Sequence, residues 1–559
     1  MDKPWLKSYP EGTPATINTS EFSSLGEFFE TKANEFAALP AVHNMGTTLT
    51  YAELDARSRA IASYLQQTLG LNKGDRVGLM LPNVLQFPIA FMGVLRAGLI
   101  AVNLNPLLTA RELRHKLEDS EASALFILEN FAHLLTATKP PEHLKTCIVT
   151  GIGDQLNFPK STLVNLYIRY VKPKVLPYKL ENIETFNETI KQGKKLSLKD
   201  VSVESSDIAL LQYTGGTTGI AKAAMLSHQN MIANMMQIVT WLRQTSARNR
   251  KIEKGKEIII TALPLYHIFA LTANLLTFLC LGGMNYLITN PRDMRGFVKE
   301  LKSSRFTCIT GVNTLFDHLL NTPGFDQIDF STLKIGLGGG AAVQSQVAER
   351  WQKATGGVLV EAYGLTETSP AVTINPISLP AFNGSIGLPL PSTDCCVKDD
   401  EGGSVPVGEA GELYVRGPQV MQGYWRSPEE TKAVLTNDGW LHTGDIVIID
   451  EKGFIRIVDR KKDLIIVSGF NVYPNEVEEV VSQHPDVLEC GVVGVADPQT
   501  GEAVKLVVVP RNKDLTVSDL KAYCHENLMA YKRPKQIKFV KEIPKTPVGK
   551  VLRRELKTL

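Results

Sequence analysis

The stretch IALLQYTGGTTGIAK, residues 208–222, places a loop rich in glycine and threonine directly after an apolar run. The run predicts a buried strand, and Ser227 stands where it can cap a helix that begins at SHQNMIANM. Glycines allow a loop to turn its N–H groups inward on a ligand, while threonine hydroxyls and Lys222 add neutral and charged donors. The loop therefore has the composition of a polyphosphate cradle, although a flexible surface loop has the same composition.

The loop differs from the Walker A motif. That motif requires GxxxxGK[ST], whereas here Ile220 and Ala221 separate Gly219 from Lys222. Phosphate binding by this loop therefore has to be judged together with other motifs along the chain.

Composition limits the class of protein. The chain has 559 residues, of which 43% are hydrophobic, so we expect a large core and two or more domains. The net charge of +2 gives no electrostatic argument for a nucleic-acid partner, and we expect none. Seven cysteines without a CxxC pair favour the reduced thiols of a cytosolic protein. The N-terminal stretch MDKPWLKSYPEG lacks an apolar core, so we do not expect a secretory signal.

Short apolar runs alternate with amphipathic helical stretches over the first three quarters of the chain. RVGLML (76–81) and IAVNLNP (100–106) predict strands, and residues 87–98 predict the helix between them. This alternation is typical of a mostly parallel α/β sheet. The sequence therefore predicts an α/β fold in which residues 1–459 form a large domain of stacked α/β sheets, with a β-rich subdomain at about 380–459, and residues 460–559 form a small α+β domain.

The segment from Ile258 to Pro291 contains no Asp, Glu, Lys or Arg. A membrane-spanning helix needs roughly 20 apolar residues, so a span is one interpretation. Pro264, Gly282 and Gly283 interrupt the run, which favours a buried strand, helix and strand instead.

Five further motifs follow the loop along the chain. They are LGGGAA (337–342), EAYGLTETSP (361–370), DGWLHTGD (438–445), IRIVDRKKD (455–463) and PKTPVGK (544–550). Their order and spacing resemble the adenylate-forming superfamily, which includes acyl-CoA synthetases, plant coumarate ligases, insect luciferases and peptide-synthetase adenylation domains. The resemblance covers roughly residues 50–555. It is closest to bacterial long-chain fatty acid–CoA ligases, on the stretch 438–462 and on Gly215, which stands where many relatives have Ser.

The resemblance implies a two-step reaction with ATP and CoA as substrates and Mg²⁺ as the metal. The carboxylate of a long-chain fatty acid attacks the α-phosphorus of ATP, pyrophosphate leaves, and the thiol of CoA then attacks the acyl-adenylate. Both reactants of the first step are anions, so catalysis consists mainly of positioning and cationic stabilisation.

Four residues are assigned to the chemistry by the resemblance. Lys550 is expected to bridge the carboxylate and the α-phosphate, the alternative being a solvated lysine in a basic tail. Glu367 is expected to hold Mg²⁺ together with Thr217. His267 is expected beside the acyl carboxylate, the alternative being a histidine of the core.

The nucleotide site is assigned in the same way. Tyr363 is expected to stack on adenine, with Gly340 and Ala341 along its edge. Asp445 and Arg460 are expected to bind ribose hydroxyls, the alternative being a structural ion pair. The complete ATP-binding set implied by the resemblance is Tyr213, Thr214, Gly215, Gly216, Thr217, Thr218, Gly219, Ile220, Ala221, Lys222, Gly340, Ala341, Tyr363, Thr366, Asp445 and Arg460.

The resemblance also implies a mobile C-terminal domain. A hinge is expected at Lys462, where rotation would withdraw Lys550 and bring Ser468, Gly469 and Phe470 to CoA. A turn-forming role is the alternative for Gly469.

Three positions depart from the pattern of the superfamily. Ala223 and Ala362 stand where Gly is common, and Ala342 stands where Pro is frequent. We expect effects on loop geometry and rate, most of all at Ala223 if that position requires a positive φ.

The stretch 159–179 is basic and contains apolar and aromatic residues but no acid. Such a stretch suits the surface of an anionic membrane, and a solvated linker is an equal alternative. The expected location is the cytoplasm, with peripheral contact at the inner face of the cell membrane as an option, and the resemblance leaves a homodimer open.

Several other functions remain to be distinguished. An acyl-AMP ligase and a ligase for medium-chain or aryl acids would keep the same fold. A luciferase-like oxygenase, a silent binding protein and an integral-membrane fatty-acid transporter built on residues 258–291 are more distant alternatives.

Overall fold

The computed structural model describes residues 3–171, 174–214, 221–246, 248–546 and 551–559. The helices of this part of the chain are α1 (Leu25–Glu35), α2 (Tyr51–Gln67), α3 (Gln86–Arg96), α4 (Ala110–Ser120), α5 (His133–Thr138), α6 (Lys160–Leu166), α7 (Phe186–Gly193), α8 (His228–Leu242), α9 (Thr277–Cys280), α10 (Met294–Ser304), α11 (Asn313–Leu320), α12 (Ser345–Thr355), α13 (Pro428–Val434), α14 (Pro474–Ser482), α15 (Val517–Asn527) and α16 (Arg553–Thr558). Short 3₁₀ helices lie at Pro4–Ser8, Glu129–Phe131, Phe325–Gln327, Thr366–Thr368, Lys461–Asp463 and Ala530–Lys532, and π-helical turns lie at Tyr167–Val171 and Ala270–Leu276.

The strands are β1 (Pro40–Asn44), β2 (Thr47–Thr50), β3 (Arg76–Met80), β4 (Ile100–Asn103), β5 (Ala122–Leu128), β6 (Thr146–Thr150), β7 (Ile183–Thr185), β8 (Ile208–Tyr213), β9 (Ala223–Ser227), β10 (Ile258–Thr261), β11 (Met284–Leu287), β12 (Cys308–Gly311), β13 (Ile335–Gly339), β14 (Leu359–Gly364), β15 (Ala371–Ile374), β16 (Leu388–Pro389), β17 (Asp394–Lys398), β18 (Ala410–Arg416), β19 (Leu441–Ile449), β20 (Ile455–Arg460), β21 (Ile465–Val467), β22 (Phe470–Val472), β23 (Val487–Asp497), β24 (Gly501–Pro510) and β25 (Gln536–Phe539).

Two large sheets, mostly parallel, form the N-terminal part of the chain. One has the strand order β7-β6-β5-β3-β4-β8-β9 and the other β16-β15-β14-β13-β12-β10-β11-β1-β2. Helices cover their faces, and β5, for example, is buried along its whole length, as expected for a parallel strand covered on both sides. The predicted α/β fold is confirmed.

Two smaller sheets follow. The antiparallel sheet β17-β18-β19-β20 carries the DGWLHTGD and IRIVDRKKD motifs on adjacent strands. Beyond the turn Lys461–Asp463, strands β21 to β25 form a further sheet with its own core, which includes Ile465, Val477 and Leu506.

The charge-free segment forms β10, a π-helical turn that continues into α9, and β11. Strands β10 and β11 are parallel neighbours, so the segment is a buried β-helix-β unit of the large sheet. Across the described ranges, no helix has both the length and the apolar character needed to cross a membrane.

Candidate active site

The glycine–threonine loop connects two antiparallel strands. Strand β8 ends at Tyr213, and its partner in the ladder is Ala223 at the start of β9. The N–H group of Thr214 donates to the carbonyl oxygen of Lys222 at 2.8 Å, which closes the base of the loop. Strand β9 was not predicted from the sequence; the predicted helix cap is present, because Ser227 accepts a hydrogen bond from the N–H group of Asn230.

Some of the predicted loop residues lie within the described ranges, and others lie outside them. Thr214, Ala221 and Lys222 lie at the base of the loop, where the last two are half-buried. The predicted ligands Gly215, Gly216, Thr217, Thr218, Gly219 and Ile220 lie outside the described residues, as does Lys550.

The side chain of Tyr213 is engaged away from the loop. Its hydroxyl donates to Oδ2 of Asp119 at 2.6 Å and to the carbonyl oxygen of Lys116 at 3.1 Å, both on α4. Burial and the charge of Asp119 raise its pKa. The side chain of Tyr213 therefore joins the end of β8 to α4, and only its backbone faces the start of the loop.

Tyr363, Asp445 and Arg460 come together although they lie in three separate motifs. Asp445 on β19 is directly opposite Arg460 on β20, and their side chains pair with Nε to Oδ1 at 2.9 Å. The hydroxyl of Tyr363, at the end of β14, donates to the other carboxylate oxygen at 2.6 Å. Asp445 is only 2% exposed, so two strong donors fix its carboxylate. Burial and the nearby carboxylate raise the pKa of Tyr363, so its hydroxyl remains a donor.

The ion pair considered as an alternative for Asp445 and Arg460 is thus present. Burial opposes the charge of Arg460, but the carboxylate of Asp445, together with the acidic groups of Tyr363, Asp463 and Glu367, outweighs it and raises the pKa of the guanidinium. This pairing and ribose binding are compatible, since a carboxylate oxygen can accept more than one hydrogen bond.

Glu367 lies in the short 3₁₀ helix Thr366–Thr368. Its Oε1 accepts a hydrogen bond from the hydroxyl of Tyr424 at 2.7 Å, and its Oε2 has no hydrogen-bond donor among the described residues. No group of three or more acidic, histidine or cysteine side chains suited to a metal is found within the described ranges. Mg²⁺ bound to ATP needs only one or two protein carboxylates, because phosphate oxygens and water complete its coordination. Glu367 therefore fits the magnesium of a nucleotide complex.

His267 lies between β10 and the π-helical turn and is half-buried. Its backbone N–H donates to the carbonyl oxygen of Pro264 at 2.9 Å, and Nδ1 accepts the N–H group of Phe269 at 3.3 Å. An accepting Nδ1 leaves the proton of a neutral imidazole on Nε2.

Phe269 packs over the glycine motif. A Cβ atom on Gly339 would lie 3.1 Å from the ring of Phe269 and 3.1 Å from the carbonyl oxygen of Ala362. Gly340 has a φ of +77°, a conformation that glycine adopts without strain. The structure thus brings the ring of Phe269, two residues after His267, against the predicted adenine edge.

Glu361 supports the same edge from beneath. Its Oε1 accepts the N–H group of Val343 at 3.0 Å, and burial raises its pKa to about 8. Sequence reasoning missed Glu361, Phe269 and Tyr424; the first lies two residues before Tyr363, and that position inside a recognised motif was the one available signal.

The three departures from the superfamily pattern are structurally mild. Ala223 is buried in the extended strand β9 and has no positive φ, so the strain considered there does not arise. Ala362 lies in β14 opposite Ile374, and Ala342 is exposed beside Gly340.

The turn Lys461–Asp463 leads into the C-terminal sheet. Lys462 is exposed, although burial of its ammonium group and the neighbouring Arg460 lower its pKa. Asp459 accepts the N–H group of Asn475 on α14 at 2.8 Å, which links the two sides of this turn.

The predicted CoA loop is the tip of the β21–β22 hairpin. Ser468 and Gly469 both have positive φ, and the N–H group of Ser468 donates to the carbonyl oxygen of Thr500. Phe470 is 58% exposed and stacks on Tyr531 with ring centroids 4.9 Å apart. Among the described residues, the hydrogen bonds of this tip stay within the C-terminal part of the chain, and none joins it to Tyr363, Asp445 or Arg460.

Comparisons with known proteins place the chain in a family. Residues 29–425 match the model of the AMP-binding enzyme family, and residues 476–550 match that of the AMP-binding enzyme C-terminal domain. The long-chain-fatty-acid–CoA ligase of Salmonella typhimurium is 53% identical over 557 residues, covering 100% of this chain and 98% of that protein. The ligase of the same name from Bacillus subtilis is 39% identical, covering 99% and 97%.

Solved structures share the fold. ATP-bound MatB from Rhodopseudomonas palustris has a TM-score of 0.80 at 28% identity and covers 95% of this chain and 98% of its own. The anthranilate CoA ligase AuaEII in complex with anthranoyl-AMP has a TM-score of 0.83 at 24% identity, covering 97% and 98%, which speaks for the fold alone. The chain belongs to the AMP-binding enzyme family, in which its sequence groups with the long-chain-fatty-acid–CoA ligases.

Proposed function

We propose that the protein activates long-chain fatty acids with ATP through an acyl-adenylate and transfers the acyl group to CoA, releasing AMP and pyrophosphate. The observation that carries the proposal is the full-length identity of 53% to a curated ligase of that name. The buried group Tyr363–Asp445–Arg460 supports it, because it offers a fixed carboxylate beside the strand that ends in the YGLTE motif.

The first step requires two anions to meet. Lys222 at the base of the loop and Lys550 in the C-terminal tail supply positive charge, and the threonines of the loop supply hydroxyl donors. Glu367 would hold Mg²⁺, which neutralises phosphate charge when bound. Asp445 accepts ribose hydroxyls while Arg460 and Tyr363 keep it in place. These groups work by position and charge and need no strong general base.

The acyl group enters from the side of His267. The Nε2–H group of the His267 imidazole can donate a hydrogen bond to the acyl carboxylate, and this bond orients the attacking oxygen before the chemical step. The π-helical turn Ala270–Leu276 and α9 that follow are largely buried and carry eight apolar residues beside Thr272, Asn274 and Thr277, and they suit the wall of a channel for a hydrocarbon tail.

The second step uses the C-terminal domain, residues 460–559. We propose rotation at Lys462, which moves Lys550 away and brings Ser468, Gly469 and Phe470 to the pantetheine arm of CoA. Positive φ at Ser468 and Gly469 shapes a tight turn whose backbone the pantetheine arm of CoA can approach closely.

Product analysis tests the proposal. The purified protein is incubated with MgATP, CoA and saturated acids of increasing length, and acyl-CoA, AMP and pyrophosphate are quantified. Equal amounts of all three products, with the highest kcat/KM for long chains, are expected. Acyl-AMP that accumulates regardless of CoA would favour an acyl-AMP ligase, and a maximum for medium-chain or aryl acids would replace the substrate class.

We further propose peripheral contact with an anionic membrane through residues 159–179. Exposed apolar side chains line α6 and the π-helical turn after it, including Leu163 and Tyr170, and Phe158 just before α6 is 85% exposed. Exposed apolar side chains grouped in this way are unusual on the solvent-exposed surface of a protein, and neighbouring lysines add positive charge.

Vesicle co-sedimentation tests this contact. Lys174→Ala with Lys179→Ala is expected to weaken binding to anionic vesicles about tenfold or more, since each lysine near such a surface contributes about 1 kcal/mol. Val407→Ser, which changes an exposed apolar residue of the β-rich subdomain, serves as control. Equal binding to neutral and anionic vesicles, or none, would exclude the contact.

A cytoplasmic location and a homodimer are kept as proposals, the latter testable by light scattering.

A further inference from the structure

The segment 421–425 of the β-rich subdomain joins two parts of the candidate site through its backbone. The N–H group of Met421 donates to the carbonyl oxygen of Glu367 at 2.8 Å. The N–H group of Trp425 donates to the carbonyl oxygen of Ala223, the residue after Lys222, also at 2.8 Å. This segment therefore links the backbone of the YGLTE motif to the backbone at the base of the loop.

Tyr424 lies within this segment and is 9% exposed. Its hydroxyl donates to Oε1 of Glu367 at 2.7 Å, and Nζ of Lys222 lies 5.4 Å from the centroid of its ring. The latter distance is that of a cation–π contact. Glu367 and Lys222 form no ion pair with each other in the described structure, although both contact the same tyrosine.

This arrangement matters because opposite charges at close range pair and neutralise each other. A carboxylate paired with the lysine would present less negative charge to a metal, and the lysine would present less positive charge to phosphate. The hydroxyl of Tyr424 donates to Glu367 and its ring face contacts Lys222, so both charged groups have a partner without forming an ion pair with each other. The same hydroxyl occupies Oε1 and leaves Oε2 for a further ligand.

We infer that Tyr424 is a positioning residue for the metal and phosphate groups of ATP, with its hydroxyl orienting Glu367 toward Mg²⁺ and its ring keeping Lys222 apart from that carboxylate. The inference rests on the proposed function, since it takes MgATP as the substrate. It adds a residue outside the motifs that the sequence had singled out.

Isothermal titration calorimetry separates the role of the hydroxyl from that of the ring. ATP is titrated into the full-length protein with Mg²⁺ and with EDTA, in the absence of fatty acid so that no turnover occurs, and AMP is titrated as a reference. Tyr424→Phe removes the hydroxyl alone. The factor by which Mg²⁺ raises the affinity for ATP is expected to be about tenfold smaller in this variant than in wild type, since hydrogen bonds to charged groups are the strong ones. Its affinities for AMP and for metal-free ATP should stay within about twofold of wild type, an allowance below the effect of one such bond.

Two further variants complete the experiment. Tyr424→Leu also removes the ring, and it is expected to weaken ATP binding even in EDTA because Lys222 can then pair with Glu367. Tyr286→Phe is the matched control, because Tyr286 is also a buried tyrosine whose hydroxyl donates to a glutamate, Glu300. Within the described part of the chain, no hydrogen bond or ring contact joins Tyr286 to Tyr424, Glu367 or Lys222. The Tyr286→Phe variant should leave every affinity unchanged.

Kinetics give a second readout. With Tyr424→Phe, acyl-AMP formation should fall while thioester formation from preformed acyl-AMP and CoA keeps the wild-type rate, because the second step involves no pyrophosphate. A Tyr424→Phe protein that retains the full gain from Mg²⁺, or that loses AMP affinity to the same extent, would overturn the inference. Wild-type protein that binds neither ATP nor AMP would instead count against the proposed function itself.

Discussion

Replacement of Asp445 by Asn gives the most quantitative test of the nucleotide site. The carboxylate is 2% exposed and is held by the hydroxyl of Tyr363 at 2.6 Å and by Nε of Arg460 at 2.9 Å. The change leaves the guanidinium of Arg460 without its anionic partner in a site where only 29% of that side chain is exposed, although the amide oxygen can still accept a hydrogen bond. Removing one partner of a fully buried pair costs about 3–5 kcal/mol, so for this partly exposed arginine we expect a loss of about 2–3 kcal/mol in the free energy of unfolding.

Nucleotide binding should change as well. The amide accepts a ribose hydroxyl less strongly than the carboxylate does, and one hydrogen bond to a charged group corresponds to about ten- to hundredfold in affinity. Urea denaturation measures the first effect and calorimetric titration of AMP the second. Tyr363→Phe, which deletes one donor and keeps the charge, should cost only about 1 kcal/mol in stability. Asp514→Asn, at an exposed position of the C-terminal domain, is the control. An Asp445→Asn protein with wild-type stability and AMP affinity would refute the assignment.

Three more changes probe other parts of the account. Burial raises the pKa of Glu361 to about 8, so the folded state holds a proton that the unfolded state releases above about pH 4.5. The contribution of Glu361 to the free energy of unfolding is therefore full below about pH 4.5 and declines as the pH rises toward 8. Glu361→Gln should therefore gain stability relative to wild type between pH 5 and 8, by up to about 1.4 kcal/mol per pH unit in urea denaturation, and a difference independent of pH would contradict this. Lys550→Ala should slow acyl-AMP formation by about a hundredfold or more and retain more of the thioester step from preformed acyl-AMP; equal loss in both steps, measured by rapid quench, would argue against the hinge at Lys462. Phe470→Ala should raise the KM for CoA about three- to tenfold with adenylation unchanged, the size of one aromatic contact, and an unchanged KM would remove Phe470 from the CoA site.

The sequence predicted the elements whose signals are local. The buried strand β8, the cap at Ser227 and the β-helix-β unit at residues 258–291 follow from apolar runs, capping residues and chain breakers within a few positions. Strand β9 was missed because its five residues, AAMLS, are too short and too apolar to be distinguished from the helix that follows.

Contacts between distant segments could not be predicted in this way. The pairing of Asp445 with Arg460 depends on the register of β19 against β20, and the contact of Tyr424 with Glu367 spans 57 positions. Tyr424 reaches the site because the segment around it extends the ladder of β9, and no local pattern in the sequence specifies that partner. Motif resemblance supplied the residues of the candidate site, whereas the hydrogen bonds among them depend on how distant segments meet in the fold.

Attack of a fatty-acid carboxylate on the α-phosphorus of ATP can be followed by oxygen tracing. A long-chain fatty acid labelled with ¹⁸O in its carboxylate is converted in the presence of MgATP and CoA, and the products are analysed by mass spectrometry. We expect one ¹⁸O atom in the phosphate of AMP for each acyl-CoA formed, because the bridging oxygen of the anhydride stays with AMP when the thiol attacks. Label in inorganic phosphate, or AMP free of label while acyl-CoA accumulates, would show that the carboxylate does not attack the α-phosphorus.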